Sequence, residues 1–278
     1  MQTNTEILRE GGFFFPVTTS PLYTSDGAKT AMQAVLNSES RSILGYVRQR
    51  YTPVDNESAF DFIDNVTDLT LEKFGSRRNG HSYVIGSFPS VDILGDAHQI
   101  NLILENSFDG STPIRATYCM LRMICQNQFS VTWKKNPTIV RLKHVRSAVG
   151  RLDDAKTLMA GAQDYLKKYI AAAEELACKQ LTSEDIDGIL TEYLKIKDAS
   201  SEKVKSRLIQ KKEMIISLVA KEDHENFKNT AWALINGVTN FNSHLESMRA
   251  TKENWEIKRY FKNAQGSLYQ LANLALAA

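Results

Sequence analysis

Cysteine is scarce in this 278-residue sequence: Cys119, Cys125 and Cys178 form no CxxC pair. Neither a disulfide framework nor a four-cysteine zinc site is indicated, and a reducing compartment fits. With 14 Gly and 6 Pro the chain is too poor in both for a collagen-like or linker-dominated protein. No uninterrupted apolar run approaches the roughly 18 residues of a transmembrane helix. The opening MQTNTEILREGG lacks a basic stretch followed by an apolar one. A cytoplasmic location with no membrane partner is expected.

Catalytic signatures are missing as well. There is no GxxxxGK[ST], so a phosphate-cradling loop is not expected, and no GxSxG, so serine hydrolase chemistry finds no support in the motifs. His81, His98, His144, His224 and His244 include no pair four residues apart, and no HExxH or deaminase signature occurs. Asp92, Asp96, Glu105 and Asp109 lie near one another in sequence, which keeps a metal-dependent nuclease as a trailing reading. Cys125 among apolar neighbours reads as a buried core residue rather than a thiol paired with His144. The sequence therefore assigns no catalytic residue, no metal ligand and no cofactor.

Acid is absent from one long stretch. Residues 110–152 carry eight Lys/Arg and no Asp or Glu, while residues 1–109 carry 8 basic and 14 acidic residues and residues 153–278 carry 18 of each. The net +2 of the whole chain conceals segments of −6, +8 and 0. Forty-three residues without a carboxylate point to a polyanionic partner, against the plainer reading of a solvated face or subunit contact. Tyr118, Phe129 and Trp133 lie among these cations, a mixture in which cations follow phosphates and aromatic rings stack on bases. Candidate nucleic-acid-binding residues are Arg48, Arg50, Arg77, Arg78, Arg115, Arg122, Trp133, Lys134, Lys135, Arg141, Lys143 and Arg146.

Periodicity divides the chain. Gly11–Thr18 and Ile43–Tyr51 read as strands, with a helix over Asp26–Leu36 between them and a second helix over Asn56–Phe74. Ser82–Phe88, Val91–Leu94 and Gln99–Glu105 read as strands, and the Asp109-Gly110 pair predicts a hairpin turn into a strand over Ile114–Cys125. Val145, Ala148, Leu152, Ala155, Met159, Ala162, Leu166, Tyr169, Ala173 and Leu176 form a 3-4 stripe. It predicts one long helix from Val145 to Cys178. A second stripe runs from Phe227 to Met248, with helices over Ser183–Ile196 and Ser201–Val219 between the two and a last helix over Glu253–Leu276. The expectation is an α+β protein. A curved antiparallel sheet in a β-rich, basic-groove region, residues 1–144, is backed by long helices in residues 145–278, as one continuous domain.

Four stretches carry a family resemblance. Asn106-Ser107-Phe108-Asp109-Gly110-Ser111, Arg122-Met123-Ile124-Cys125-Gln126-Asn127, Leu142-Lys143-His144-Val145-Arg146 and Thr230 to Val238 with His244, preceded by Tyr51 to Asn56, occur in the order found in phage and plasmid proteins. The sequence resembles the family called domain of unknown function 932. The resemblance implies a protein of mobile elements, whose genes commonly serve DNA replication, recombination or evasion of host defence. By fold-level analogy alone, single-strand annealing proteins share the expected architecture. The expected function is binding and annealing of single-stranded DNA, with duplex as a second ligand, by a homo-oligomer or ring without cofactor. The alternative is an anti-defence or regulatory protein acting through protein contacts.

Overall fold

The computed structural model describes residues 2–76, 80–122, 127–129, 140–145, 162–222, 225–245 and 267–278. It is an α+β protein, with antiparallel sheets in the N-terminal half and helices in the C-terminal half. Two compact units are present: one takes 1–89, 101–118 and 138–162, the other 90–100, 119–137 and 163–278.

The first unit opens with α1 (Asn4–Glu10), whose start is fixed by a reciprocal cap between Thr3 and Glu6. Strands β1 (Val17–Tyr23), β2 (Lys29–Asn37) and β3 (Ile43–Arg48) form a three-stranded antiparallel meander. Strand β2 corrects the helix expected over Asp26–Leu36. Asp26 accepts from Thr24 inside a turn closed by Thr24 N to Ala28 O at 2.9 Å, with Gly27 at φ 86°. An Asp that could cap a helix instead starts a hairpin, because the glycine after it supplies the positive φ. The strand expected over Gly11–Thr18 begins only at Val17.

Next come α2 (Asn56–Phe60), a 3₁₀ turn (Asp61–Asn65), β4 (Thr70–Ser76) and β5 (His81–Ser87). Asp55 caps α2 by accepting from Ser58 N at 2.6 Å. The helix expected to run on to Phe74 stops early: Asp68 takes φ 60° and Thr70 opens β4. Strands β6 (Val91–Ile93), β7 (Asp96–Ser107), β8 (Ile114–Arg122), β9 (Asn127–Phe129) and β10 (Val140–Leu142) complete a seven-stranded sheet. Its order is β10-β8-β7-β5-β4, with β6 on β7 and β9 on β8. The hairpin from β7 to β8 is where the Asp-Gly pair predicted it. Val35, Leu44, Val47 and Phe108 form a core cluster over which Phe15, Val17 and Tyr51 pack.

The second unit holds α3 (Ala162–Cys178), α4 (Ser183–Tyr193), α5 (Glu202–Val219), α6 (Ala231–Asn240), a π-helical turn (Phe241–Leu245) and α7 (Ser267–Ala277). Thr182, Ser201 and Thr230 cap α4, α5 and α6 through their hydroxyls. The expected long helix ends at Cys178 as the stripe requires. Val145, however, lies in a bend after β10, and residues 146–161 are outside the described residues. Helix α6 is buried from Ala231 to Thr239, so both its faces are core, and it packs on α5, α7 and β9. Among the described residues the second stripe is α-helical over Ala231–Asn240 and continues into the π-helical turn, where Leu245 is 54% exposed. Most of the last predicted helix, residues 253–266, also lies outside the described residues. No helix among the described residues is long and apolar enough to cross a membrane.

Candidate functional site

The Asp109-Gly110 turn joins β7 to β8 in the first unit. Gly110 takes φ 75°, which the turn requires and a side chain would strain. Ser107 Oγ donates to Thr112 O at 2.8 Å and accepts from Thr112 N at 3.0 Å, while Ser111 N donates to Asp109 Oδ1 at 2.9 Å. The loop is pinned at both ends. It lies against Gly45 of β3, where a methyl group would come within 2.9 Å of Phe108 O, so only glycine admits this approach.

Tyr51 connects this turn to β10. Its hydroxyl donates to Ser107 O at 2.7 Å, and its ring stacks on the His144 imidazole with centroids 4.8 Å apart. His144 Nδ1 accepts from Val54 N at 3.3 Å and its carbonyl from Thr52 N at 3.2 Å, so the ring is held in the Nε2-protonated tautomer. Burial pushes this imidazole down to about 4, so it is neutral at pH 7. Burial, and then the charge of Asp109, pushes the Tyr51 phenol up. Beneath them, Asn106 Nδ2 donates to Val54 O and Asn56 Oδ1, each at 3.0 Å, and Asn56 Nδ2 donates to Phe13 O at 3.0 Å and Ser82 Oγ at 2.9 Å. Both amides are fully buried.

A cavity of about 700 Å³ opens beside the turn, lined by Met32, Tyr46 to Arg48, Arg50 and Tyr51, by Asp109, Gly110, Thr112 and Pro113, and by Lys143 to Val145. Three of the expected cations, Arg48, Arg50 and Lys143, thus line one cleft, and Tyr46 at its wall is 56% exposed. Arg141 is exposed on the neighbouring β10, paired in register with Arg115.

Arg115 is engaged elsewhere. Its guanidinium forms an ion pair with Glu105 that is largely covered on both sides. Glu105 Oε1 also lies 3.4 Å from His81 Nδ1, and His81 Nε2 lies 2.7 Å from Ser111 Oγ and 3.6 Å from Asp109 Oδ2. Although burial opposes ionisation of Asp109, its hydrogen bonds from Ser111 and the nearby His81 hold its carboxyl below the usual value.

A family model, Domain of unknown function (DUF932), matches residues 43–262. The chain belongs to this family. No curated protein and no solved structure matches the chain. Several motif residues on which the DUF932 resemblance rested, namely Tyr51, Asn56, Asn106, Ser107, Asp109, Gly110 and His144, come from three separate stretches. They converge on the turn and the cleft wall.

Of the other expected site residues, Arg122 closes β8 beside Asn127 of β9. Arg77, Arg78, Trp133, Lys134, Lys135 and Arg146 lie outside the described residues, as does Cys125. Tyr118 is buried against Phe88 and so is a core ring rather than a stacking surface. Among the described residues no group of three or more His, Cys, Asp or Glu could hold a metal ion. Asp92 instead caps a turn by accepting from Gly95 N at 2.9 Å. Motif scanning missed Tyr46 and the His81–Glu105–Ser111 cluster. The cluster brings His81 to Glu105 and Ser111 through the pairing of β5 with β7, a register that leaves no motif in the sequence.

Proposed function

We propose that this protein of the DUF932 family binds single-stranded DNA through the cleft beside the Asp109-Gly110 turn and anneals it to its complement. It does so as a homo-oligomer, without cofactor, in the service of a mobile element. The observation that carries the reading is the meeting of Arg48, Arg50 and Lys143 with an exposed Tyr46 in one cavity. Cations placed there neutralise successive phosphates, and a tyrosine face offers stacking of about 1–3 kcal/mol per base with no sequence preference. Bases not stacked stay open to a complementary strand. Arg141 on β10 extends the positive charge past Lys143. Arg115 is assigned a structural role, since its charge is matched by Glu105.

Fluorescence anisotropy with a labelled oligonucleotide tests this. Replacing Arg48, Arg50 and Lys143 together by Glu is expected to abolish binding while leaving the melting temperature near that of the parent. Binding of the labelled oligonucleotide by the triple variant as tightly as by the parent would assign the acid-free segment to a solvated face or a protein contact.

A further inference from the structure

We propose that Ser111 is the nucleophile of an acyl-transfer site acting on carboxylic esters, with His81 as its general base and Glu105 as the residue that positions His81. The three come from the turn, the start of β5 and the end of β7, and they meet in line. Ser111 Oγ is 2.7 Å from His81 Nε2, and His81 Nδ1 is 3.4 Å from Glu105 Oε1. This is the connectivity by which a hydroxyl is activated: the Glu105 carboxylate faces Nδ1 at ion-pair distance and favours a proton there, the tautomer in which Nε2 accepts from serine. Arg115 anchors Glu105 from its far side. Asp109 Oδ2, 3.6 Å from Nε2, adds a negative charge next to the imidazolium that forms when the serine proton is taken.

Exposure favours chemistry over a clamp. Ser111 is open to solvent, whereas the side chains of His81 and Glu105 are only 16% and 8% exposed. The turn does not need the serine hydroxyl to hold it, because Ser107 and Asp109 already bond its backbone. The Ser111 hydroxyl, which also bonds the Asp109 carboxylate and lies 3.5 Å from Thr112 Oγ1, faces solvent beside His81. Its Oγ attacks the ester carbonyl carbon as its proton passes to His81 Nε2, and the carbonyl π pair moves to oxygen. Collapse breaks the C–O bond to the alcohol, which leaves with the proton from His81. Water then attacks the acyl-serine, giving one proton to His81, and the released carboxylic acid leaves Ser111 Oγ to recover that proton. Ester and water become acid and alcohol, with no other reactant.

The full chain treated with a fluorophosphonate, with the adduct located by mass spectrometry, tests the site. One adduct on Ser111 is expected, lost in Ser111→Ala, together with a burst of product from p-nitrophenyl acetate. His81→Ala should slow labelling by about 100-fold or more, with part of the rate restored by added imidazole; His81→Gln should be as slow without being rescued. Glu105→Gln should lower the limiting labelling rate and leave the half-saturating probe concentration unchanged. No adduct on the folded parent chain, an adduct on another residue, or labelling of Ser111 at the parent rate in both His81 variants would overturn the proposal. DNA binding measured on Ser111→Ala is expected to be intact, so failure of this site and failure of the cleft are separate results.

Discussion

His144 shows how one residue ties the cleft to pH. Its imidazole is held neutral by burial, with the folded value near 4 below an ordinary 6.5. Above pH 6.5 both folded and unfolded chains carry it neutral, and no penalty arises. As pH falls from 6.5 to 4 the unfolded chain takes up the proton first, so stability is lost progressively, by about 3 kcal/mol once both states are protonated. His144→Asn, which keeps an acceptor for Val54 N, should lose less stability over that window. Urea midpoints of both proteins at pH 7 and pH 4 check this; parallel losses would contradict it. Tyr46 stands at the opposite extreme of exposure. Tyr46→Ala should weaken single-strand binding by about 1–3 kcal/mol with little change in melting temperature, whereas a large fall in melting temperature would mark the ring as core. The Asn56–Asn106 pair is fully buried and held by hydrogen bonds to each other and to Val54, Phe13 and Ser82. Asn106→Ala would leave the Val54 carbonyl and the Asn56 amide oxygen without this donor, at a cost of about 1–3 kcal/mol seen in chemical denaturation.

Among the elements, two close approaches depend on glycine. A methyl group at Gly45 would meet the backbone of the Asp109 turn, and one at Gly237 would come within 2.5 Å of Val219 Cγ2 where α6 crosses α5. Backbone yields less readily than a side-chain tip. Gly45→Ala should therefore cost about 1–3 kcal/mol and weaken DNA binding with it, while Gly237→Ala should affect stability alone; equal DNA affinity in Gly45→Ala and the parent would detach the turn from the cleft. The helix stripes differ in the same graded way. Leu234 is fully buried and Leu166 only half-buried, so Leu234→Asp should prevent soluble folding and Leu166→Asp should be tolerated better, as read from soluble yield and melting.

These elements were legible in the sequence to different degrees, for physical reasons. The Asp109-Gly110 hairpin and the helices after Thr182 and Ser201 were readable because their signals are local: a glycine at positive φ, or a hydroxyl that caps. Strand β2 was misread because Asp26 is equally apt as a helix cap and as a turn residue, and Gly27 decides between them only through pairing with β1. Arg48, Arg50 and Lys143 were named from composition, but their meeting in one cleft depends on β3 and β10 both reaching the turn. The His81–Glu105–Ser111 arrangement left no motif, since its spacing is set by strand register. Register places His81 opposite Ser107, next to the start of the turn.

Across the whole molecule, charge is the property that bears on function. The +8 of residues 110–152 is partly spent internally, on Arg115 with Glu105, and partly presented, through Lys143 in the cleft and Arg141 beside it. Cations from the otherwise acidic first segment, Arg48 and Arg50, join them. If each of the three cleft cations neutralises one phosphate, counterion release gives a slope of about −2 in log affinity against log salt for a single strand. Affinity then falls about 20-fold for a fourfold rise in salt. The most direct measurement is an anisotropy titration of one labelled single strand, at two salt concentrations fourfold apart, with the parent and with the Arg48→Glu, Arg50→Glu, Lys143→Glu variant. Salt-dependent binding by the parent, absent from a variant that melts normally, is the result predicted; equal affinity of the two proteins at both salts would contradict the cleft as a nucleic-acid site.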